Sequence, residues 1–216
     1  MKARITKIIN ETPYTKTFRL KLDKSITYKP GQFITVISKK DGVVIRRAYS
    51  ISNWFKQPTE EITITLNEVP NGKMSCFLFC KNINDTIDIE GPFGLFTLKE
   101  TQNPVVFIAA GTGITPLMTM MQSLKDKDIT LIYSVKKQED ILFRDKLELL
   151  NINKIITLTQ EKWNGQTGRI SKGMILKNIK LNSDFYICGL PEFVKSVVSH
   201  LEELNVPKEN VHVERW

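Results

Sequence analysis

The sequence predicts two structures in succession: an antiparallel β-barrel over residues 1–99, then a five-stranded parallel α/β sheet over residues 103–216. Three observations lead there. Up to residue 99, short stretches rich in Ile, Thr, Val and Phe are separated by turn signals. From residue 103 onward, apolar strands alternate with amphipathic helices. Between the two rhythms lies "KETQNP" (99–104), a polar stretch that ends in proline and reads as the domain boundary.

In the first region "ARITKII", "KTFRLKL", "GQFITVIS", "RAYSIS" and "EITITLNEV" read as strands, with "KPGQ", "KKDG" and "VPNGK" as turns. "MSCFLFC" reads as one helix among them. Many short strands at this spacing favour a small barrel. In the second region "VVFIAA" (105–110) leads into a helix starting near Pro116, with Leu117, Met118, Met121 and Leu124 on one face. "ITLIYS" follows, then a helix carrying Phe143, Leu147 and Leu150 on one side. "KIITLT" and "DFYICG" are the next strands. Pro191 suits the first turn of a last helix that buries Phe193, Val194, Val197, Val198, Leu201 and Leu204. "NVHVERW" closes the sheet. Regular strand–helix alternation implies parallel strands with helices on both faces.

Composition narrows the classes. With 41% hydrophobic and 25% charged residues among 216, the chain is globular rather than disordered. No apolar run reaches the ~18 residues of a membrane span, and "MKARITKIIN" lacks the apolar core of a signal peptide. Three cysteines without a secretory signal argue for a reducing compartment, the cytoplasm by default. Thirty-one basic and 23 acidic residues give a net charge of +8, suited to a nucleic acid, an anionic membrane surface or an acidic protein. The lysines are scattered, and neither a zinc-finger spacing nor an RNA-recognition signature is present. Cys76 and Cys80 lie four apart, but with only His200 and His212 and no C-x-x-C a metal site is not expected. The G-x-S-x-G elbow of a serine hydrolase is also missing.

Several short motifs can carry chemistry. In "AAGTGITPL" (109–117), Gly111 and Gly113 let backbone approach a ligand, and the following helix N-terminus favours an anion such as a pyrophosphate. Pro116 stands where the ordinary dinucleotide fingerprint has its third glycine, and no ribose-binding acid follows the next strand, which ends at Tyr133-Ser134. A plain strand-to-helix turn is the alternative. In "RRAYSIS" (46–52) a strand puts Arg47 and Tyr49 on one face and Ser50 on the other. An arginine beside an aromatic ring suits a ligand with a phosphate and a flat ring system; a solvent arginine and a core tyrosine are the alternative. "NGKMS" (71–75) offers free N–H groups, Lys73 and Ser75 to a second anion contact, or is simply a helix cap. "YICGLPEF" (186–193) places Cys188 and Gly189 at the carboxyl end of a parallel strand, where ligands of open sheets bind.

Taken in order, "PGQF" (30–33), "RAYS" (47–50), "NGKMS" (71–75), "GPFG" (91–94), "GTGITPL" (111–117), "CGL" (188–190) and the terminal "ERW" resemble the ferredoxin–NADP reductase family over nearly the whole chain. The resemblance implies an FAD-binding barrel followed by a nicotinamide-nucleotide domain, and it accounts for Pro116, since the family's loop is G-x-G-x-x-P. It implies that Arg47, with Ala48 beside it, meets the FAD pyrophosphate, that Tyr49 packs on the isoalloxazine and that Ser50 lies near flavin N5. Gly72, Lys73, Met74 and Ser75 would make the second pyrophosphate contact. Thr115 would lie near the flavin, with Gly111, Thr112, Gly113, Ser134 and Gly189 serving the nicotinamide nucleotide. Cys188 would stand beside the nicotinamide ring, with Ser50 and Glu214 around the transfer site. Trp216, the last residue, would cover the flavin face that nicotinamide must reach; an ordinary core tryptophan is the alternative.

The family's NADP-specific members carry Ser-Arg after the third strand of this domain, where this chain has Thr159-Gln160. The missing arginine favours NADH, although Lys136, Lys137 or Lys162 could supply the charge NADPH needs. No plant-type iron–sulfur spacing is present, so a one-electron acceptor would be a separate molecule. The positive charge fits an acidic carrier: a ferredoxin, a flavodoxin or an oxygenase component. A flavin reductase releasing reduced flavin, and a basic nucleic-acid-binding protein on the same fold, are the other classes open at this point.

Overall fold

The computed structural model describes residues 1–40, 42–124 and 127–215. They form two compact units, Met1–Leu98 with Met118–Ser123, and Lys99–Leu117 with the described residues from Leu124 onward.

The first unit contains β1 (Lys2–Thr12), β2 (Thr15–Ile26), β3 (Phe33–Lys40), β4 (Val43–Ser50), β5 (Thr59–Asn67), α1 (Lys73–Phe79) and β6 (Thr86–Phe93). The strands form a six-stranded sheet in the order β4-β3-β6-β1-β2-β5, every pairing antiparallel. Its two ends meet: Ile51 bridges to Ile64 just beyond β4, and the Ser52 N–H donates to the Thr63 carbonyl at 2.9 Å. This one bridge brings the ends of the sheet together into a barrel while leaving the outer edge of β4 itself unpaired among the described residues.

Alternation along the strands fills the interior. Ile5, Phe18, Leu20, Ile34, Val36, Ile62, Ile64 and Ile89 are fully buried in one cluster. Hydroxyls buried beside this core satisfy one another: Thr17 with Thr65 at 2.7 Å, and Ser52 with Thr65 at 2.8 Å and with Thr63 at 3.0 Å. Pairing of this kind avoids the cost of an unsatisfied buried polar group. The strand β6 is not among those the sequence predicts. Ile87 and Ile89 alternate as a strand requires, but the element runs into Gly91-Pro92, residues that usually mark strand ends. The segment Met118–Ser123 contributes two anchors to this unit. Thr119 Oγ1 accepts from the Gly31 N–H at 2.9 Å, and Gln122 Oε1 accepts from the Trp54 N–H at 2.8 Å.

The second unit contains β7 (Val105–Ala110), a single 3-10 turn at Gly111–Gly113, the first turn of α2 (Ile114–Ser123, of which Met118–Ser123 belongs to the first unit), β8 (Ile129–Val135), α3 (Arg144–Leu149), β9 (Asn153–Leu158) and β10 (Gln166–Thr167). It continues with α4 (Lys172–Asn178), β11 (Asp184–Gly189), α5 (Pro191–Glu203) and β12 (Val211–Arg215). All pairings are parallel, in the order β10-β9-β8-β7-β11-β12. The chain starts in the middle at β7, steps outward through β8 and β9, and then crosses to β11, so the strand order reverses beside β7. The two exposed residues of β10 add a sixth strand to the five expected; they carry no apolar pattern by which to be read.

Both faces of the sheet are covered, which is why β8 and β11 are buried along their whole length. On one face Val106, Ile108, Ile132, Phe185 and Ile187 pack with Ile175 of α4 and with Val194, Val197 and Leu201 of α5. Phe193, Val198 and Leu204 are partly buried around them. The helix read through Phe143, Leu147 and Leu150 is shorter than expected. Phe143 precedes it in a left-handed conformation (φ 57°), Leu150 follows it in extended backbone, and Leu147 is the member buried within it. The unforeseen α4 is capped by Ser171, whose hydroxyl accepts from the Met174 N–H at 3.2 Å. The 99–104 stretch is tied down rather than loose. The Lys99 N–H donates to the Tyr186 hydroxyl at 2.9 Å, and Thr101 and Asn103 both donate to the Asp184 carboxylate.

Among the described residues no helix is long and apolar enough to cross a membrane. Among them, too, no group of three or more His, Cys, Asp or Glu side chains could hold a metal ion.

Phe18 is fully buried and meets Phe79 edge-on at 6.5 Å. Phe18→Ala should cost about 3–5 kcal/mol of stability, read as a lowered midpoint in denaturant unfolding of the barrel signal.

Candidate active site

In the first unit the candidate residues sit on β4 and at the start of α1, which packs beside it. Among the named strands β4 pairs only with β3, so its other edge is open along most of its length. Two adjacent arginines on it behave differently. Arg46 forms an ion pair with Glu90. Arg47 is exposed, donates at 2.8 Å to the Arg46 carbonyl, and has no carboxylate partner among the described residues. Ala48 is exposed beside it. Tyr49 is half-buried against the barrel core. Burial pushes its phenol up to about 12, with the Arg47 charge pulling the other way, and its hydroxyl makes no hydrogen bond among the described residues. Ser50 is only 5% exposed and its backbone pairs with Phe33, yet its hydroxyl too makes no hydrogen bond among the described residues. Within four positions, a cation lacks a counter-charge and two hydroxyls lack partners among the described residues.

The turn into α1 is built tightly. Asn71 takes a left-handed conformation (φ 59°), and a Cβ on Gly72 would lie 2.5 Å from Ser75 Oγ and 2.8 Å from Val69 Cβ. The Ser75 hydroxyl accepts from the Val69 N–H at 3.1 Å and faces the Val69 and Gly72 carbonyls. It therefore locks the turn from inside, and Met74 is buried next to it. What remains on the outside is the exposed Lys73 and the first-turn N–H groups, which have no intrahelical acceptors.

In the second unit Gly111, Thr112, Gly113, Thr115, Ser134, Cys188, Gly189 and Glu214 gather at the carboxyl ends of neighbouring strands. Register places Cys188 between Ala109 of β7 and Glu214 of β12, and Ser134 of β8 beside Ala110. Gly113 lies directly over β11: a Cβ there would stand 2.2 Å from the Cys188 carbonyl oxygen and 2.6 Å from its carbon. Gly111 is left-handed (φ 52°) and a Cβ there would meet nothing within 4 Å, so this residue opens onto free space. Thr115 Oγ1 donates to the Thr112 carbonyl at 2.9 Å and holds the turn to the start of α2. At Gly189 a Cβ would come within 2.8 Å of the Phe193 ring.

The Cys188 thiol donates to Glu214 Oε2 at 3.8 Å. Burial pushes the Glu214 carboxyl up to about 7, the thiol contact opposing this, so its protonated form persists far above the ordinary carboxylate range. Tyr133, which no motif singles out, is fully buried and donates its hydroxyl to the Gly111 carbonyl at 3.0 Å. Only the position of an aromatic at the end of "ITLIYS" could have pointed to it. Trp216 lies outside the described residues.

Two family models match the chain: the oxidoreductase FAD-binding domain over residues 2–98 and the oxidoreductase NAD-binding domain over residues 107–199. The chain is similar to the 2-halobenzoate 1,2-dioxygenase electron transfer component of Burkholderia cepacia, 30% identical over all of this chain and 67% of that protein. It is 29% identical to ferredoxin–NADP reductase B of Sorangium cellulosum over 99% of this chain and 96% of that one. Other curated relatives are longer: the chain spans 59% of the anthranilate 1,2-dioxygenase electron transfer component of Acinetobacter baylyi, to which it is 26% identical over 89% of its own length. The fold matches that of the flavohaem-like FAD/NAD-binding domain of nitric oxide dioxygenase from Vibrio cholerae, with a TM-score of 0.92 at 23% identity, covering 100% and 98% of the two chains.

The geometry of the second unit sets two expected outcomes. Gly113→Ala should destabilise it by about 1–3 kcal/mol or more through backbone overlap, whereas Gly111→Ala should cost about 1–2 kcal/mol from its left-handed conformation alone; denaturant unfolding compares them. Glu214 has a folded value near 7, above the ordinary 4.5, so its protonated form favours the folded state. That contribution is complete below about pH 4.5 and fades as pH rises through 7. Glu214→Gln should flatten the slope of stability against pH across this window.

Proposed function

Because the chain belongs to the ferredoxin–NADP reductase-like flavoprotein family, we propose that it is an FAD-dependent NAD(P)H oxidoreductase that passes electrons between a nicotinamide nucleotide and a separate one-electron carrier. The observation that carries this reading is the run on β4 of an arginine with no carboxylate partner and two hydroxyls with no protein partner among the described residues. A pyrophosphate would satisfy Arg47, and a flat ring system bearing polar atoms would satisfy Tyr49 and Ser50. The free space in front of Gly111 fits a dinucleotide backbone on the second unit in the same way.

FAD, when bound, takes two electrons as a hydride and can release them one at a time. The chain's own part is to bind, orient and manage protons. Arg47 would hold the FAD pyrophosphate, with the backbone of Gly72, Lys73, Met74 and Ser75 as its second contact. Tyr49 would pack on the ring system through a hydrocarbon face that burial keeps un-ionised at any ordinary pH. Ser50 would offer its unpaired hydroxyl to the flavin edge. On the second unit the Gly111–Gly113 turn would receive the nicotinamide nucleotide, with Thr112, Ser134 and Gly189 around it. Cys188 and Glu214 would orient the nicotinamide, and the Glu214 carboxyl can hold or give up a proton near neutral pH. Residues 1–99 would then serve as the FAD domain and 103–216 as the nucleotide domain.

The carrier is proposed to be acidic, a ferredoxin, a flavodoxin or an oxygenase component. Net charge of +8 would steer such a partner, and salt would screen the attraction.

Anaerobic titration of the purified protein with NADH and NADPH, followed in the visible spectrum, tests the reading. Oxidised-flavin bands that bleach on addition of either nucleotide are expected; protein that takes up no flavin even when incubated with FAD refutes it. Arg47→Ala should weaken FAD binding on the order of tenfold to a hundredfold through loss of a charge-assisted contact, measured by flavin fluorescence on dilution. Reduction of an acidic ferredoxin or flavodoxin should slow as ionic strength rises, and a salt-independent rate would exclude steering by charge.

A further inference from the structure

We infer that Cys76 and Cys80 form a two-thiolate site for a thiophilic monovalent ion, copper(I) in its chemistry. The site lies within the first unit and does not depend on the flavin reading above.

The helix α1 buries Met74, Ser75 and Leu78. At about 3.6 residues per turn, positions 76 and 80 fall on the opposite side, one turn apart. Both cysteines are free; Cys76 is half-buried and Cys80 is exposed. Cys80 caps the helix in right-handed backbone, and its N–H donates to the Cys76 carbonyl at 3.1 Å, so the helical spacing holds through it. The Cys76 thiol faces the Val69 carbonyl at 4.0 Å, too long a bond to hold it there. The third cysteine, Cys188, is fully buried and belongs to the second unit.

Spacing decides what the pair can do. Helix neighbours at i and i+4 hold their Cβ atoms about 5–6 Å apart. A disulfide needs them at about 3.5–4.5 Å, so the pair does not close on itself without distorting the helix. An ion held in line between two thiolates, roughly 2.3 Å from each sulfur, needs the sulfurs about twice that far apart. Side chains rooted at the helical spacing reach that separation by rotation about χ1. Among the described residues no third His, Cys, Asp or Glu joins them, which leaves too few donors for tetrahedral zinc. Soft thiolates select copper(I) instead. On binding, each thiol gives its proton to water, two sulfur–metal bonds form, and no electron is transferred. Two thiolates on a monovalent ion carry a net negative charge. Lys73 lies on the same face, one turn before Cys76, and Lys81 follows Cys80 with its ammonium 4.6 Å from the Phe77 ring centre. Both bring positive charge to offset the complex.

Anaerobic titration of the purified full chain with copper(I), in competition with a colorimetric copper(I) chelator absorbing beyond the flavin bands, tests the site. An equimolar complex is expected. Cys76→Ser and Cys80→Ser should each weaken binding on the order of a hundredfold or more, because a single thiol loses the gain of linked ligation. Unchanged far-ultraviolet circular dichroism shows that each variant is folded. X-ray absorption at the copper edge should show sulfur ligands only, and affinity should fall with pH as protons compete for both sulfurs. A single-thiol variant that binds as tightly as the wild-type protein, or nitrogen or oxygen in place of the second sulfur, overturns the inference. So does a Cys76–Cys80 disulfide formed by mild oxidation of the folded protein.

Discussion

The close approach of Gly113 to the Cys188 carbonyl governs the second unit. A backbone can cross another at that distance only where no side chain intervenes, and a Cβ on Gly113 would overlap both the carbonyl oxygen and its carbon. The approach brings the turn after β7 onto the end of β11, the place where the strand order reverses. It also leaves Gly111 turned outward, in a left-handed conformation that only glycine adopts freely, with open space ahead. The Tyr133 hydroxyl then fixes the Gly111 carbonyl from below, and Thr115 fixes that of Thr112. Two carbonyls held by side chains and one glycine pressed on a neighbouring strand give the turn a single shape. A preorganised turn of this kind loses little conformational entropy when a ligand arrives.

The same packing decides the chemistry of Glu214. Its strand lies beside β11, so its carboxyl ends next to the Cys188 thiol at a partly buried position. Removal from water favours the uncharged acid, and one weak thiol donor recovers only part of the lost hydration. A carboxyl on an exposed strand would be ionised throughout the physiological range; this one is poised within it. The perturbed value is thus a consequence of where β12 docks, not of the sequence "HVER" itself.

Much of this architecture is legible in the chain itself. The alternation of Ile, Thr and Phe marks the barrel strands, and the switch to strand–helix rhythm marks the parallel sheet. The elements that escape have physical reasons for doing so. The barrel strand at Thr86–Phe93 runs through Gly91-Pro92, and the edge strand Gln166–Thr167 has no buried residue to signal it. Leu147 alone is buried in the helix that the Phe143–Leu150 spacing makes too long, because Phe143 is left-handed. In the site, local motifs mark Arg47, Tyr49, Gly111, Gly113 and Cys188. Bonds between distant residues do not show: Tyr133 to Gly111 spans 22 positions, Gln138 to Glu161 spans 23, and Cys188 to Glu214 spans 26. Motifs are read within a few residues, and these contacts exist only once the strands have paired.

Arg46 and Arg47 mark the limit of what local sequence can tell. They are chemically identical neighbours on one strand, and nothing in "VIRRAYS" ranks them by charge. The strand's pleat sends them to opposite sides. One meets Glu90 of the barrel and is neutralised; the other meets no acid among the described residues. The first arginine has its partner within the fold, where an exposed ion pair contributes little to stability. The second keeps its full capacity for a charge-assisted bond and sits two residues from a half-buried ring and three from a buried hydroxyl with no partner among the described residues. Inside the same barrel the Thr17–Thr65–Ser52 chain satisfies its own hydroxyls, whereas Arg47, Tyr49 and Ser50 find no such partner among the described residues. Cation, flat apolar face and hydroxyl thus follow one another along a single strand.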